Sequence, residues 1–343
     1  MRYSPALLIA FLLVCIPGRA EALPVFAHRF GLSCQACHTT VPHLNSFGEA
    51  FARNGFRLPR AGRDVVPVAV KVKLAYTSAA EEGLPKAVVD EVELLSGGAI
   101  GSAFNYFLEQ YAVDGGMPGL PRDAWVQYNG NAGTHVRAGQ FTLPLPVDPE
   151  TQRDTESHYL VYDQKVGENP FNFFDPHIGV ELYRESPSGD ALHLAALSSY
   201  DRQSGNPVSG IDLMASGTKN FGDFTLYAYR YQGQRQLGGL RDAFFRQAFG
   251  AGQRFGKFDL VAVTQRGKDR GADSSGGFAE GRYAFSSALM AVARYDRVWD
   301  SLSGAQQQTV LSFITRPARN MRFTVEDQIT DRHTLNTTLL FAY

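Results

Sequence analysis

From about residue 67 onward the chain keeps a two-residue rhythm, and no other feature restricts its fold so strongly. In the last segment Leu335, Thr337, Leu339, Phe341 and Tyr343 point one way, while Asn336, Thr338, Leu340 and Ala342 point the other. Met321, Phe323 and Val325 alternate with Arg322, Thr324 and Glu326, and Thr225, Tyr227, Tyr229 and Tyr231 with Leu226, Ala228 and Arg230. Side chains alternate across a strand, so each segment has one apolar face and one mixed face. About sixteen such segments begin near residues 67, 88, 102, 122, 134, 177, 190, 208, 221, 242, 257, 277, 287, 306, 320 and 333. A barrel strand crosses a membrane with about ten residues and one apolar face, and an even strand number fits a bacterial outer-membrane barrel.

The connections test this independently, because outer-membrane barrels alternate short periplasmic turns with longer outer loops. Turns around "SPSGD", "NFGD", "FGK", "FSS" and "RPARN" are short. "PLPVDPETQRDTESHYLVYDQKVGENPFNFFD", "SYDRQSGNP", "QGQRQLGGLR", "GKDRGADSSGG" and "DRVWDSLSG" read as long, each following an odd-numbered strand. The 24 Phe and 15 Tyr, against 2 Trp, suit aromatic strands with polar alternate positions. A soluble β-sandwich or a large lectin-like sheet is the competing fold. After residue 23 no run approaches the 18 or so apolar residues of a transmembrane helix.

Residues 1–22 read as a secretory leader: Arg2, the apolar "PALLIAFLLVCI", then Ala20-Glu21-Ala22 as a cleavage site. A lipid anchor on Cys15 is the weaker reading, since Val14 stands where a small residue is needed. The formal net charge is −1, and losing Arg2, Arg19 and Glu21 leaves about −2, which implies no nucleic-acid partner.

Residues 23–59 have a different, helical texture, and the polar "RAGRDVV" at 60–66 links them to the barrel at 67–343. Pro42 suggests a helix start, Leu44, Phe47 and Phe51 an apolar stripe, and Gly55 a C-terminal cap. His43 would share the face of Phe47 and Ala50. A region this short, under about 40 residues, needs a staple or cofactor to fold around.

That region holds Cys34, Cys37 and His38 in "SCQACHTT". Two thiols spaced C-x-x-C can add across the vinyl groups of haem while the adjacent histidine turns onto the iron. Zinc would need a second Cys or His pair, a thioredoxin-like pair a βαβ context, and the bland alternative in an exported chain is a disulfide. One covalently bound haem c is therefore expected, with His38 as proximal ligand. No Met lies between the leader and Met117, so the sixth ligand is His28, His43, an open site or the new amino terminus.

"PVFAHRFGLSCQACHTTVPHLNSFGEAFARNGF" resembles the haem segment of the fused cytochrome–porin family. The match lies in Pro24, Phe26, Ala27, Gly31, the CxxCH run, Pro42, Leu44, Asn45, Phe47, Gly48, Phe51 and Gly55. The resemblance implies a mainly β protein, an outer-membrane barrel of about sixteen strands plugged from the periplasmic side by its own small α-helical monohaem cytochrome c region. It also implies electron transfer from an extracellular donor such as Fe(II) to a periplasmic cytochrome or other soluble carrier, with the outer faces in outer-membrane lipid. The activity would be that of an iron(II):cytochrome c oxidoreductase or of a plain electron carrier. The alternative is a solute porin whose haem-bearing plug is structural or gating. Asp148, Glu150, Asp154, Glu156 and Asp163 would sit in the longest outer loop as a candidate iron-docking cluster, and Arg230, Arg294 and Arg322 would line a wet lumen.

Overall fold

A computed structural model describes residues 25–40, 43–59, 67–79, 86–149, 151–198, 210–237, 240–318 and 320–342. The leader, the 60–66 linker, Pro42 and Glu150 lie outside the described residues, as does the side chain of His28.

Sixteen long antiparallel strands close into a barrel. In chain order they are β1 (Val68–Thr77), β2 (Ala87–Ile100), β3 (Phe104–Asp114), β4 (Pro121–Asn129), β5 (Thr134–Phe141) and β6 (His177–Glu185). Next come β7 (Ala191–Ser198), β8 (Asp212–Phe221), β9 (Phe224–Leu237), β10 (Leu240–Phe255) and β11 (Phe258–Asp269). The wall is completed by β12 (Ala272–Ser286), β13 (Leu289–Asp300), β14 (Gly304–Thr315), β15 (Met321–Ile329) and β16 (His333–Ala342). Each strand pairs with the next, and β16 closes on β1 through Asn336↔Thr77 to Ala342↔Lys71. The mainly β fold, the strand number and nearly every strand position agree with the alternation in the sequence. Among the described residues no helix is long and apolar enough to cross a membrane.

Apolar side chains such as Leu94, Leu108, Val180, Leu194, Leu226 and Phe313 face outward and are exposed, while inward positions carry charges. Full closure leaves no unpaired edge, which is what a sheet in lipid requires.

Three of the connections read as long are largely strand. Arg235↔Asp242, Lys268↔Asp273 and Trp299↔Ala305 continue the ladders almost to the hairpin tips. Polar, glycine-containing sequence looks like loop, yet backbone pairing needs no apolar face, and inward ion pairs such as Arg235–Asp212 (2.6 Å) and Arg246–Asp269 (2.7 Å) hold these extensions.

A second correction concerns the longest connection, 142–176. It is not an outer loop but folds into the lumen, where Leu143, Leu145, Tyr159, Tyr162, Phe171 and Phe173 form a core with Met214, Tyr231, Phe244 and Phe278 of the wall. This also reverses the expected facing of β9. Tyr229 and Tyr231 are buried inside, and Arg230 is exposed outside, its guanidinium over Phe245 and bonded to Gln247 (2.9 Å). Arg294 and Arg322 do point inward, but both are buried by their neighbours rather than lining an open lumen.

Candidate functional site

The N-terminal domain occupies the end of the barrel where the short turns lie. It comprises α1 (Val25–Phe30), the single turn α2 (Cys34–Cys37) and α3 (Ser46–Arg53). Between α2 and α3, His38–Thr40 and His43–Leu44 form a minimal antiparallel ladder. The helix expected from Pro42 thus begins only at Ser46. Asn45 explains the delay: its Oδ1 accepts from Gly48 N (2.9 Å) as an N-cap, while its Nδ2 donates to Gln35 O (3.2 Å) and Ala36 O (3.1 Å). Asn45 N also donates to Cys37 O (2.8 Å), so one residue ties the start of α3 to the CxxC turn. Gly48 is required by that closeness, since a Cβ there would stand 2.1 Å from Cys37 O.

Three aromatic rings of the domain, Phe30, Phe51 and Phe56, are buried together, with Phe26, Phe107 and Trp125 packed on them. Phe56 stacks on Phe26 (4.6 Å) and faces Trp125 of β4 (6.4 Å). It reaches that place through two left-handed residues in succession, Gly55 (φ 64°) and Phe56 (φ 59°). Glycine is the usual residue past a helix end, but phenylalanine at positive φ stores roughly 1–3 kcal/mol of strain. Phe47, expected on the apolar stripe, is instead 42% exposed, although Phe51 one turn on is buried. At the rim, Arg57 Nη2 donates to Gly101 O (3.1 Å) and Phe104 O (2.6 Å), and Arg316 donates to Thr39 O.

Beside the domain lies a cavity of about 1200 Å³, bounded by the wall strands and open near the turns at Pro187–Gly189, Gly222 and Gly256. Cys34, Cys37 and His38 all line it, together with Phe26, Leu44, Phe51, Phe56, Phe107 and Trp125. The predicted thiols and their neighbouring imidazole are therefore brought to one wall. Cys34 is buried and Cys37 half-buried; burial first, and Cys34 second, push the Cys37 thiol up. A thiol held protonated is a poor spontaneous nucleophile.

His43 is placed differently from the expectation. It is not in a helix but in the ladder, where His38 pairs with Leu44 and His43 with Thr40 across a register shift, and like His38 it lines the cavity. His43 Nδ1 lies 2.7 Å from Asp154 Oδ2 in the lumen segment. Burial works against the Asp154 carboxylate, but His43, Arg282 and Arg322 outweigh it and hold its pKa well below the usual range. Leu44 N donating to Thr151 O (3.0 Å) and Gln152 Nε2 to Glu49 Oε1 (3.3 Å) extend this junction. Two of the acidic residues thought to dock iron outside are instead spent inside the barrel: Asp154 is fully buried, and Glu156 meets Lys73 and Arg322. Sequence reading missed Asp154, Arg282 and Trp125 as neighbours of the domain, because only the fold brings them there. Among the described residues no cluster of three or more His, Cys, Asp or Glu could hold a metal ion.

No protein-family model matches the chain, and no curated protein matches it. Solved structures do. An anion-selective porin from Comamonas acidovorans superposes with a TM-score of 0.62 at 12% identity, covering 80% of this chain and 98% of that one. The outer membrane channel DcaP of Acinetobacter baumannii gives 0.59 at 12%, covering 80% and 96%. OmpF of Salmonella typhi gives 0.61 at 11%, again covering 80% and 96%. At such identities the likeness is one of fold: the barrel has the porin-like architecture.

Proposed function

We propose that this chain is an outer-membrane barrel carrying one covalent haem in its N-terminal domain, passing electrons between an extracellular donor and a soluble periplasmic carrier. The observation that carries the reading is the placement of Cys34, Cys37 and His38 on one wall of an open cavity inside the barrel. The donor set fits the group: two thiols one helical turn apart, the next imidazole, and an apolar lining, in a space larger than most small-molecule sites of about 300–1000 Å³. Cys34 and Cys37 would hold haem by thioethers and His38 would supply an axial imidazole. Haem c contributes one-electron chemistry at iron. Phe26, Phe51, Phe56 and Trp125 would exclude water from its apolar side. His28 and His43 are the remaining imidazoles of the domain for the sixth position, and His43 is already engaged by Asp154. Short turns at the domain's end of the barrel would face the periplasm, where a soluble cytochrome could reach the open side.

The likeness to proteins described as porins and channels favours a second reading, a solute porin with a structural or gating plug. Anaerobic addition of Fe(II) to the detergent-purified protein, followed in the visible haem bands, tests the first. Rapid reduction, with reoxidation by a periplasmic cytochrome, supports iron(II) as donor. Reduction by dithionite alone would retain the cytochrome and discard iron(II). A protein without haem bands after expression alongside a haem-attachment system would overturn the reading.

A further inference from the structure

The end of the lumen opposite the cavity is filled by residues 142–176, which are fastened to the wall by two kinds of contact. On one side lies the apolar core, in which Tyr159, Tyr162 and Phe173 are each 1% exposed. On the other side is a row of polar anchors on consecutive strands. Arg282 Nη2 on β12 donates to Gln152 O (3.1 Å). Arg294 on β13 donates to Thr155 Oγ1 (2.5 Å), Ser157 O (2.8 Å) and His158 O (2.8 Å), while Asp296 accepts from Leu160 N (3.3 Å). Gln308 on β14 also donates to His158 O (2.8 Å). Glu326 on β15 accepts from Glu156 N (2.8 Å), Ser157 N (2.7 Å) and Ser157 Oγ (2.5 Å). Thr338 on β16 and Lys73 on β1 complete the row through Glu156 (2.8 and 3.6 Å).

The central anchors are buried, whereas Arg282 and Lys73 at the ends of the row are partly exposed. Arg294, Asp296 and Glu326 are each at most 1% exposed, although they point into the lumen. In a water-filled channel, inward charges would be the wettest groups of the wall. Such charges are instead paired and bonded to backbone, which is the condition under which burial is tolerated. We infer that residues 142–176 form a fixed septum closing the barrel to solutes and ions, and that this closure does not depend on the N-terminal domain. The domain stands on the cavity side of the septum, touching it at Thr151, Gln152 and Asp154. The septum does not rest on the haem reading, but it bears on the choice between the two functions. An electron needs no open path, whereas a solute does.

The test uses the full-length protein in planar bilayers. Wild type should show no stable conductance. Arg294→Met with Glu326→Gln, which cuts the anchors, should open steps, whereas Arg57→Ala with Arg316→Ala, which loosens the domain at the rim, should remain closed. Conductance by wild type or by the rim variant would overturn the septum, as would closure of both variants. Because the anchor variant could fail to fold, hydrogen exchange on wild type gives an independent reading. The amides of Glu156, Ser157 and Leu160 should be protected as long as strand amides, and exchange as fast as hairpin tips would overturn the proposal.

Discussion

Two inserts share one lumen and are held by opposite means. The N-terminal domain is held by stacked rings against Phe107 and Trp125 and a few bonds to the rim, and it leaves an open cavity beside it. Residues 142–176 are held by buried charges and a continuous apolar core. The difference separates two tasks. An insert that must accept a group needs room and reactive side chains on its surface, while an insert that must close a barrel needs its polar groups satisfied by the wall. On the proposed readings, Cys34, Cys37 and His38 would serve the first task, and Arg294 and Glu326 the second.

The largest expected effect breaks the first insert chemically. Cys34→Ser with Cys37→Ser should abolish covalent haem, measured on denatured protein by its pyridine haemochromogen, while the barrel retains the heat-dependent gel shift of a folded wall. Covalent haem surviving in that variant would refute the assignment of the thiols. Next comes the second insert. Although Glu280 keeps Arg282, Arg294→Ala leaves Asp296 buried without its arginine, which should cost about 3–5 kcal/mol in denaturant unfolding. A loss near zero would mean that the buried charges are screened by water entering the lumen.

Phe56→Ala should rank third, at about 3 kcal/mol for a buried ring, read locally rather than as unfolding of the wall. Only Trp125 and Trp299 are present. In a Trp299→Phe background, the emission of Trp125 should shift red when its partner ring is lost. Phe56→Gly should fall less far than the loss of packing suggests, since glycine accepts φ 59° without strain.

How much of this was legible depended on what each residue answers to. The wall strands were legible because lipid and pleat impose period two directly, so β1, β6 and β16 begin where the alternation begins. The grouping of Cys34, Cys37 and His38 at the cavity was legible because C-x-x-C-H is local. The interior placement of 142–176 was not, since Asp154 and Glu156 read as solvated unless Arg282, Arg322 and Lys73 are known to surround them. A signal was nonetheless present: Phe141, Leu143, Leu145 and Val147 alternate, and Phe171 and Phe173 repeat the pattern. Arg230 was misplaced for the same reason. Its strand was expected to turn tyrosines to lipid, but the septum makes the inside of that strand the apolar side.

The smallest effect sharpens the comparison by pH. Burial works against the Glu156 carboxylate, yet Lys73, Arg322 and Thr338 overcome this and lower its pKa. A carboxyl depressed on folding adds stability above its unfolded value of about 4.3, and that stability is lost as pH falls through the folded value. Glu156→Gln should therefore flatten part of the acid-side loss of stability and leave the neutral-to-alkaline side unchanged. At neutral pH its cost should be only about 1 kcal/mol, because Lys73 keeps Asp90 and Glu91, and Arg322 keeps the Asp154 carbonyl. Denaturant midpoints from neutral pH to below pH 4 check this. An acid limb as steep in the variant as in wild type would place the proton uptake elsewhere, and a cost as large as that of Arg294→Ala would make Glu156 an anchor of the septum in its own right.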